Sequence, residues 1–91
     1  MIKDFSQTIL TLHGEPFKDG EKDLTYATVA ENALATFDKE NYKCYKVALL
    51  IVNNPSSVEL TIDEAHMIID AVNEMRTTNI IKGRVVDFIN G

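Results

Sequence analysis

Residues 25–52 have the sequence TYATVAENALATFDKENYKCYKVALLIV, and their spacing predicts two consecutive helices. Thr25 is typical of an N-cap, and the apolar residues after it share one helical face: Tyr26, Val29, Ala30, Ala33, Leu34 and Phe37. After a polar break at 38–41 the pattern returns with Tyr42, Tyr45, Ala48, Leu49 and Val52, and Val47, Leu50 and Ile51 widen it to nearly all sides. We therefore expect the second helix to be the most buried one.

Downstream of these helices, Pro55 marks a loop, because the residue before a proline disfavours the α conformation. Residues 58–60 form a short extended approach to Thr61, which matches a capping box with Glu64 and begins a third helix. Its predicted core stripe contains Ile62, Ala65, Ile69, Val72 and Met75, with Ile68 beside it. The last segment has helical spacing over 80–89, but Gly83 weakens a helix, so a strand over 84–89 is the alternative.

Upstream, residues 8–12 alternate as a strand does, and 13–16 have turn chemistry. Phe17 begins a return strand that Asp19 and Gly20 end. Since an isolated hairpin is marginal in water, it must pack against something apolar. The sequence thus predicts an α+β fold, with an N-terminal β-hairpin packed on three or four short α-helices in a single domain over 1–91. Its expected core contains Ile9, Leu12, Val29, Leu34, Leu49, Val52, Ile69, Val72 and Val85.

Composition narrows the class of protein. The 91 residues carry a formal net charge of −5, the wrong sign for a domain that grips phosphate backbones, so nucleic acid is disfavoured as a partner. The longest apolar run, 47–52, is far too short to cross a bilayer, which predicts no membrane association. Cys44 is the single cysteine and has no partner for an internal disulfide, as suits a reducing cytoplasm.

No motif indicates catalysis, a metal or a cofactor. The string Asp63-Glu64-Ala65-His66 has the letters of a helicase acidic box, but the phosphate-binding loop such motors need is absent, and acids suit the first turn of a helix. Neither histidine has a ligand spacing, and Cys44 in an apolar helix is typical of an inert packing residue. We expect no enzyme, no cofactor and no metal site.

One surface of the second helix is a candidate for partner binding. Lys39, Lys43 and Lys46 recur at helical spacing as a basic stripe, and Tyr42 beside them is an amphipathic aromatic of the type enriched at interfaces. Simple solvation of the lysines and core packing of the tyrosine are the alternatives.

A resemblance covers nearly the whole chain. It is carried by Gln7 and Ile9, by Gly14-x-Pro16-x-x-Asp19-Gly20, by Thr25 with Ala33-Leu34, by Lys43-x-Tyr45-x-x-Ala48-x-x-Ile51, by Val58-Glu59-Leu60-Thr61-x-Asp63-Glu64, and by the closing Asn90-Gly91. In this order of features the chain resembles small uncharacterised proteins of tailed bacteriophages and prophages. The polar break at 38–41 is shorter than in that group. The resemblance implies a phage or prophage origin and the cytoplasm of a bacterial host, and it supplies no catalytic or binding residues.

Together these observations favour a non-enzymatic phage or prophage accessory protein that binds another protein of the host or the phage. The first alternative is a small homo-oligomeric structural or assembly protein of a phage. The second is a weak nucleic-acid-binding regulator that uses the lysine stripe.

Overall fold

A computed structural model describes all residues, 1–91, and has an α+β architecture. Its four helices are α1 (Tyr26–Thr36), α2 (Asn41–Asn53), α3 (Ile62–Glu74) and α4 (Asn79–Asn90). Its short strands are β1 (Ile2–Lys3), β2 (Lys18–Asp19), β3 (Lys22–Asp23) and β4 (Val58–Glu59). None of the helices combines the length and the apolar character that a membrane crossing needs.

Side-chain caps begin three of the helices. The Thr25 hydroxyl accepts a hydrogen bond from the Thr28 N–H at the start of α1, and Thr78 caps α4 in the same way. At α3 the predicted capping box is complete, since Glu64 N–H donates to the Thr61 hydroxyl at 3.2 Å and Thr61 N–H donates to the Glu64 carboxylate at 2.8 Å. The last segment is the helix α4 rather than a strand.

The predicted hairpin is present as a short antiparallel pairing of irregular strands. Leu10 bridges Pro16, and the Phe17 N–H donates to the Ile9 carbonyl at 3.0 Å. The chain then turns back at Gly20, whose φ of 67° suits glycine, so that β2 and β3 form a second hairpin. A further antiparallel ladder joins β1 to β4, with Ile2 opposite Glu59. The sequence did not predict this ladder.

Hydrogen bonds between residues distant in sequence hold the N-terminal segment to the rest of the fold. The Phe5 N–H donates to the Pro55 carbonyl at 2.7 Å, and the Met1 ammonium donates to the Leu60 carbonyl at 2.9 Å. From α4, the Arg84 guanidinium donates to the carbonyls of Leu10 and Thr11 at 3.0 and 2.7 Å. The segment before the hairpin is therefore attached to the connection between α2 and α3, and the hairpin itself is attached to α4.

A single cluster of buried apolar side chains fills the space between the segments. Of the predicted core, the buried members are Ile9, Val29, Leu34, Val72 and Val85. Ile69 is only partly buried, and the prediction was wrong for Leu12, Leu49 and Val52, which are exposed by 73%, 37% and 56%. Leu12 lies beyond the Leu10–Pro16 bridge and lines an open groove against α4, which leaves most of its side chain exposed.

The orientation of α2 was also predicted wrongly. Its buried residues are Cys44, Val47 and Ile51, which follow the same helical spacing as the expected stripe but lie on the other side of the helix. Contacts of α2 with α1 select this side. The helix expected to be the most buried thus turns much of its apolar surface outward.

Candidate functional site: the exposed face of α2

The outward side of α2 carries a cluster of large apolar side chains. We define the α2 face as the exposed residues Tyr42, Tyr45, Leu49, Leu50 and Val52. The two tyrosines are 72% and 58% exposed, and their ring centroids lie 6.3 Å apart. Single exposed apolar residues are ordinary on protein surfaces, but a contiguous group on one helix is typical of an interaction site.

The spacing within the α2 face explains how it forms. Tyr42, Tyr45, Leu49 and Val52 are separated by three, four and three residues, which places them in one line along a helix. A line of this spacing is the narrow seam by which two helices pack against each other. The α2 face therefore has the geometry of a helix that lacks its partner.

An apolar groove adjoins this face. It has a volume of about 310 Å³ and lies between the end of α1 and α2, with Leu34 and Ala35 on one wall and Tyr45 and Ala48 on the other. Phe37 and Cys44 line it as well. Because Tyr45 belongs both to the groove and to the α2 face, the two form a continuous apolar surface.

The charges around this surface are unlike those of the rest of the chain. α2 contains no acidic residue although the chain has a formal net charge of −5. Lys46 lies at the edge of the α2 face, and its ammonium is 5.9 Å from the centroid of the Tyr42 ring. Lys46 also lacks an ion pair, since the salt bridges of the molecule are Lys18–Asp23 and Lys39–Glu74.

The four candidate residues therefore have two different surroundings. Tyr42 and Lys46 lie on and beside the α2 face, whereas Lys39 and Lys43 line a polar groove of about 730 Å³ against α3. In that groove Lys39 is 3.4 Å from Glu74, and the other acidic lining residues are Glu40, Asp63 and Asp70. The structure does not bring the three lysines into one uniformly basic surface.

Cys44 lies beneath the surface, on the buried side of α2. Its Sγ is 3.4 Å from the Lys39 carbonyl oxygen and 3.8 Å from the Met67 sulfur. Burial raises the pKa of the Cys44 thiol, with the Glu40 carboxylate as a second cause, so the nucleophilic thiolate is disfavoured. Neither histidine is hydrogen-bonded to this thiol.

The sequence singled out Tyr42 and Lys46 as candidate binding residues. It placed Tyr45 on the predicted apolar stripe and assigned Leu49 and Val52 to the core. The stripe itself could have indicated the α2 face. Its residues have the spacing of a helix seam whether the stripe is buried or exposed. No group of three or more His, Cys, Asp or Glu side chains is placed to hold a metal ion. Compared with known protein families, curated proteins and solved structures, the chain gives no match.

Proposed function

We propose that the protein is a non-enzymatic accessory protein that acts by protein–protein binding through the α2 face. The observation that carries this proposal is the line of exposed Tyr42, Tyr45, Leu49 and Val52 on a helix without acidic residues. Tyrosines supply large, amphipathic contact area and are enriched among residues that dominate binding energy. A phage or prophage origin, implied by the sequence resemblance, and a bacterial or phage protein as the partner belong to the same proposal.

The proposal assigns no catalytic role because of the chemistry of two places in the molecule, the Cys44 thiol and the polar groove against α3. The only thiol is buried, and its hydrogen bonds go to the Lys39 carbonyl and the Met67 sulfur rather than to a histidine or a carboxylate. The polar groove against α3 combines lysines with carboxylates at an open surface, where water screens their charges. His66 also lines this groove, but no serine, threonine or cysteine does, so the histidine has no hydroxyl or thiol there to activate.

Affinity capture by the tagged chain, from a bacterial lysate that also contains an untagged copy of it, tests the proposal with two matched variants. The first, Tyr42→Ser with Lys46→Ser, changes the α2 face and its edge, and the second, Lys39→Ser with Lys43→Ser, changes only the polar groove. We expect a stoichiometric protein on the wild-type chain and on the groove variant, and its loss from the face variant. Mass spectrometry of the retained proteins gives the measurement, and circular dichroism checks that each variant is folded.

The opposite outcome is equally clear. If the face variant retains the same proteins in the same amounts as the wild type, the α2 face is not the binding surface. Loss of the partner from the groove variant alone would move the site to Lys39 and Lys43.

Nucleic-acid binding has weaker support. A phosphate backbone would have to displace Glu74 from Lys39 and approach Lys43 past several carboxylates. We expect no shift of DNA or RNA in a gel at low salt. A shift that weakens steeply as salt is added would establish the nucleic-acid alternative instead.

A further inference from the structure

The shape and charge of the α2 face also indicate which kind of partner packs on it. We propose that its occupant is a second copy of this chain, so that two α2 helices pack along their seams in a two-fold dimer. This inference rests on the proposed function, because it names the partner for the same surface. Three features of the structure carry it: the self-complementary seam, the exposed area, and the distribution of charge.

The seam is the first feature. The spacing of Tyr42, Tyr45, Leu49 and Val52 is that of alternating a and d positions in a coiled coil, where each side chain inserts between residues of the facing helix. A two-fold interface uses the same patch on both subunits, so it requires a surface that fits itself. A straight line of large and medium apolar side chains with no acidic member meets that requirement.

The exposed area is the second feature. Given that one tyrosine carries roughly 150–250 Å² of surface, the five side chains of the α2 face expose on the order of 500 Å² in one copy. Two copies would bury at most about 1,000 Å² together, which only reaches the lower bound for a specific interface. This area fits a reversible dimer that dissociates on dilution, and it is too small for a permanent one.

Charge is the third feature. Two chains with a net charge of −5 each repel one another at most orientations. The helical carboxylates lie on α1, α3 and α4, and α2 itself contributes none to the contact. At the edge of the seam, Lys46 can keep its ammonium in water while its aliphatic stem covers apolar surface. Contact through the α2 face thus places no carboxylate of one copy against a carboxylate of the other within the helix seam.

Sedimentation equilibrium and light scattering over a range of protein concentrations test the dimer directly. For the wild-type chain we expect a monomer–dimer equilibrium that shifts toward monomer on dilution. A wild-type chain that stays monomeric at its highest soluble concentration would overturn the inference. Because this measurement needs no variant, it does not depend on whether any substitution folds.

Two variants then locate the interface. Tyr45→Glu and Val52→Glu each place a carboxylate in the seam, and we expect either to weaken dimerisation about 100-fold or more, since each change enters a two-fold interface twice. Ile62→Glu is the matched control, because Ile62 is 68% exposed on α3 and lies outside the seam. It should dimerise as the wild type does.

The outcomes separate this inference from the proposed function. A dimer that survives both seam variants, or that is lost equally in Ile62→Glu, would overturn the assignment of the α2 face to self-association. A monomeric wild-type chain that still captures a different protein, and loses it in the Tyr42 and Lys46 variant, would refute the dimer alone. The proposed function would then stand with a foreign occupant.

Discussion

Among single residues, Phe5 and Phe88 show how the N-terminal segment is anchored. Phe5 is almost fully buried, and its ring meets that of Phe88 edge to face with centroids 5.0 Å apart. The Phe88 ring also stacks on the Tyr26 ring, with centroids 4.1 Å apart and planes 9° from parallel. These three rings come from the N-terminal segment, α1 and α4, so each aromatic contact joins elements that are distant in sequence.

Tyr26 gives a prediction about pH. Burial raises the pKa of its phenol above the ordinary value of 10.0; the nearby Arg84 charge lowers it and the Asp87 charge raises it, both by less than burial does. Above pH 10.0 the unfolded chain loses this proton while the folded protein keeps it, so the free energy of unfolding falls as pH rises. We expect Tyr26→Phe, which preserves the stack on Phe88, to make this decline shallower.

Urea unfolding on both sides of pH 10.0 measures the effect. Tyr42→Phe is the control, because this ring is exposed on the α2 face and has no burial to lose. An identical pH dependence in the wild type and in Tyr26→Phe would contradict the assignment.

At the scale of elements, Gly83 and Gly20 both have room for a side chain, but only Gly20 has a backbone conformation that requires glycine. A Cβ added at Gly83 or at Gly20 would meet no atom within 4 Å. Gly83 lies in the interior of α4 with ordinary helical geometry, whereas Gly20 turns the β2–β3 hairpin at a φ of 67°. We expect Gly83→Ala to raise the free energy of unfolding by about 0.5–1 kcal/mol, since alanine is the better helix former.

Gly20→Ala should lower that free energy by about 1–2 kcal/mol, because a left-handed conformation brings its Cβ close to the backbone. Chemical denaturation of both variants beside the wild type supplies the comparison. If the two substitutions change stability in the same direction, backbone conformation is not what distinguishes these positions.

For α2, the sequence predicts the existence and the end of the helix but not which of its sides is buried. Its existence followed from periodicity, and its end before Pro55 followed from proline geometry. Which side is buried did not follow, because Cys44, Val47 and Ile51 repeat at the same spacing as Tyr45, Leu49 and Val52. With apolar residues on nearly every side of α2, the positions of its neighbours, above all α1, decide which of the two stripes is buried. The α1 stripe had a clear polar side, and its buried face was predicted correctly.

For the whole molecule, one buried cluster draws on the N-terminal segment, β4 and all four helices. Because no helix has a separate core, we expect a single cooperative unfolding transition. Far-ultraviolet circular dichroism reports the helices, and near-ultraviolet circular dichroism reports the tyrosines. The two denaturation curves should coincide, and an earlier near-ultraviolet transition would show that the hairpins and aromatic contacts separate from a persisting helical layer.

The α+β architecture of the molecule could be predicted from the chain alone, since caps, turns and periodicity are local signals. The β1–β4 ladder and the burial of Phe5 could not, because they depend on contacts between residues fifty or more positions apart. Apart from Tyr42, the α2 face escaped prediction for the same reason, because exposure is a property of the assembled layers.

The long-range bonds of the N-terminal segment have a consequence for synthesis. The segment is synthesised before its partners, since Phe5 bonds to Pro55, Met1 to Leu60 and Leu10 to Arg84. Until Arg84 and Phe88 have emerged from the ribosome, the carbonyl of Leu10 and the ring of Phe5 lack these native partners, while each helix can form soon after it emerges. Until then the nascent chain carries an apolar segment without its native contacts, which is a site that chaperones can bind.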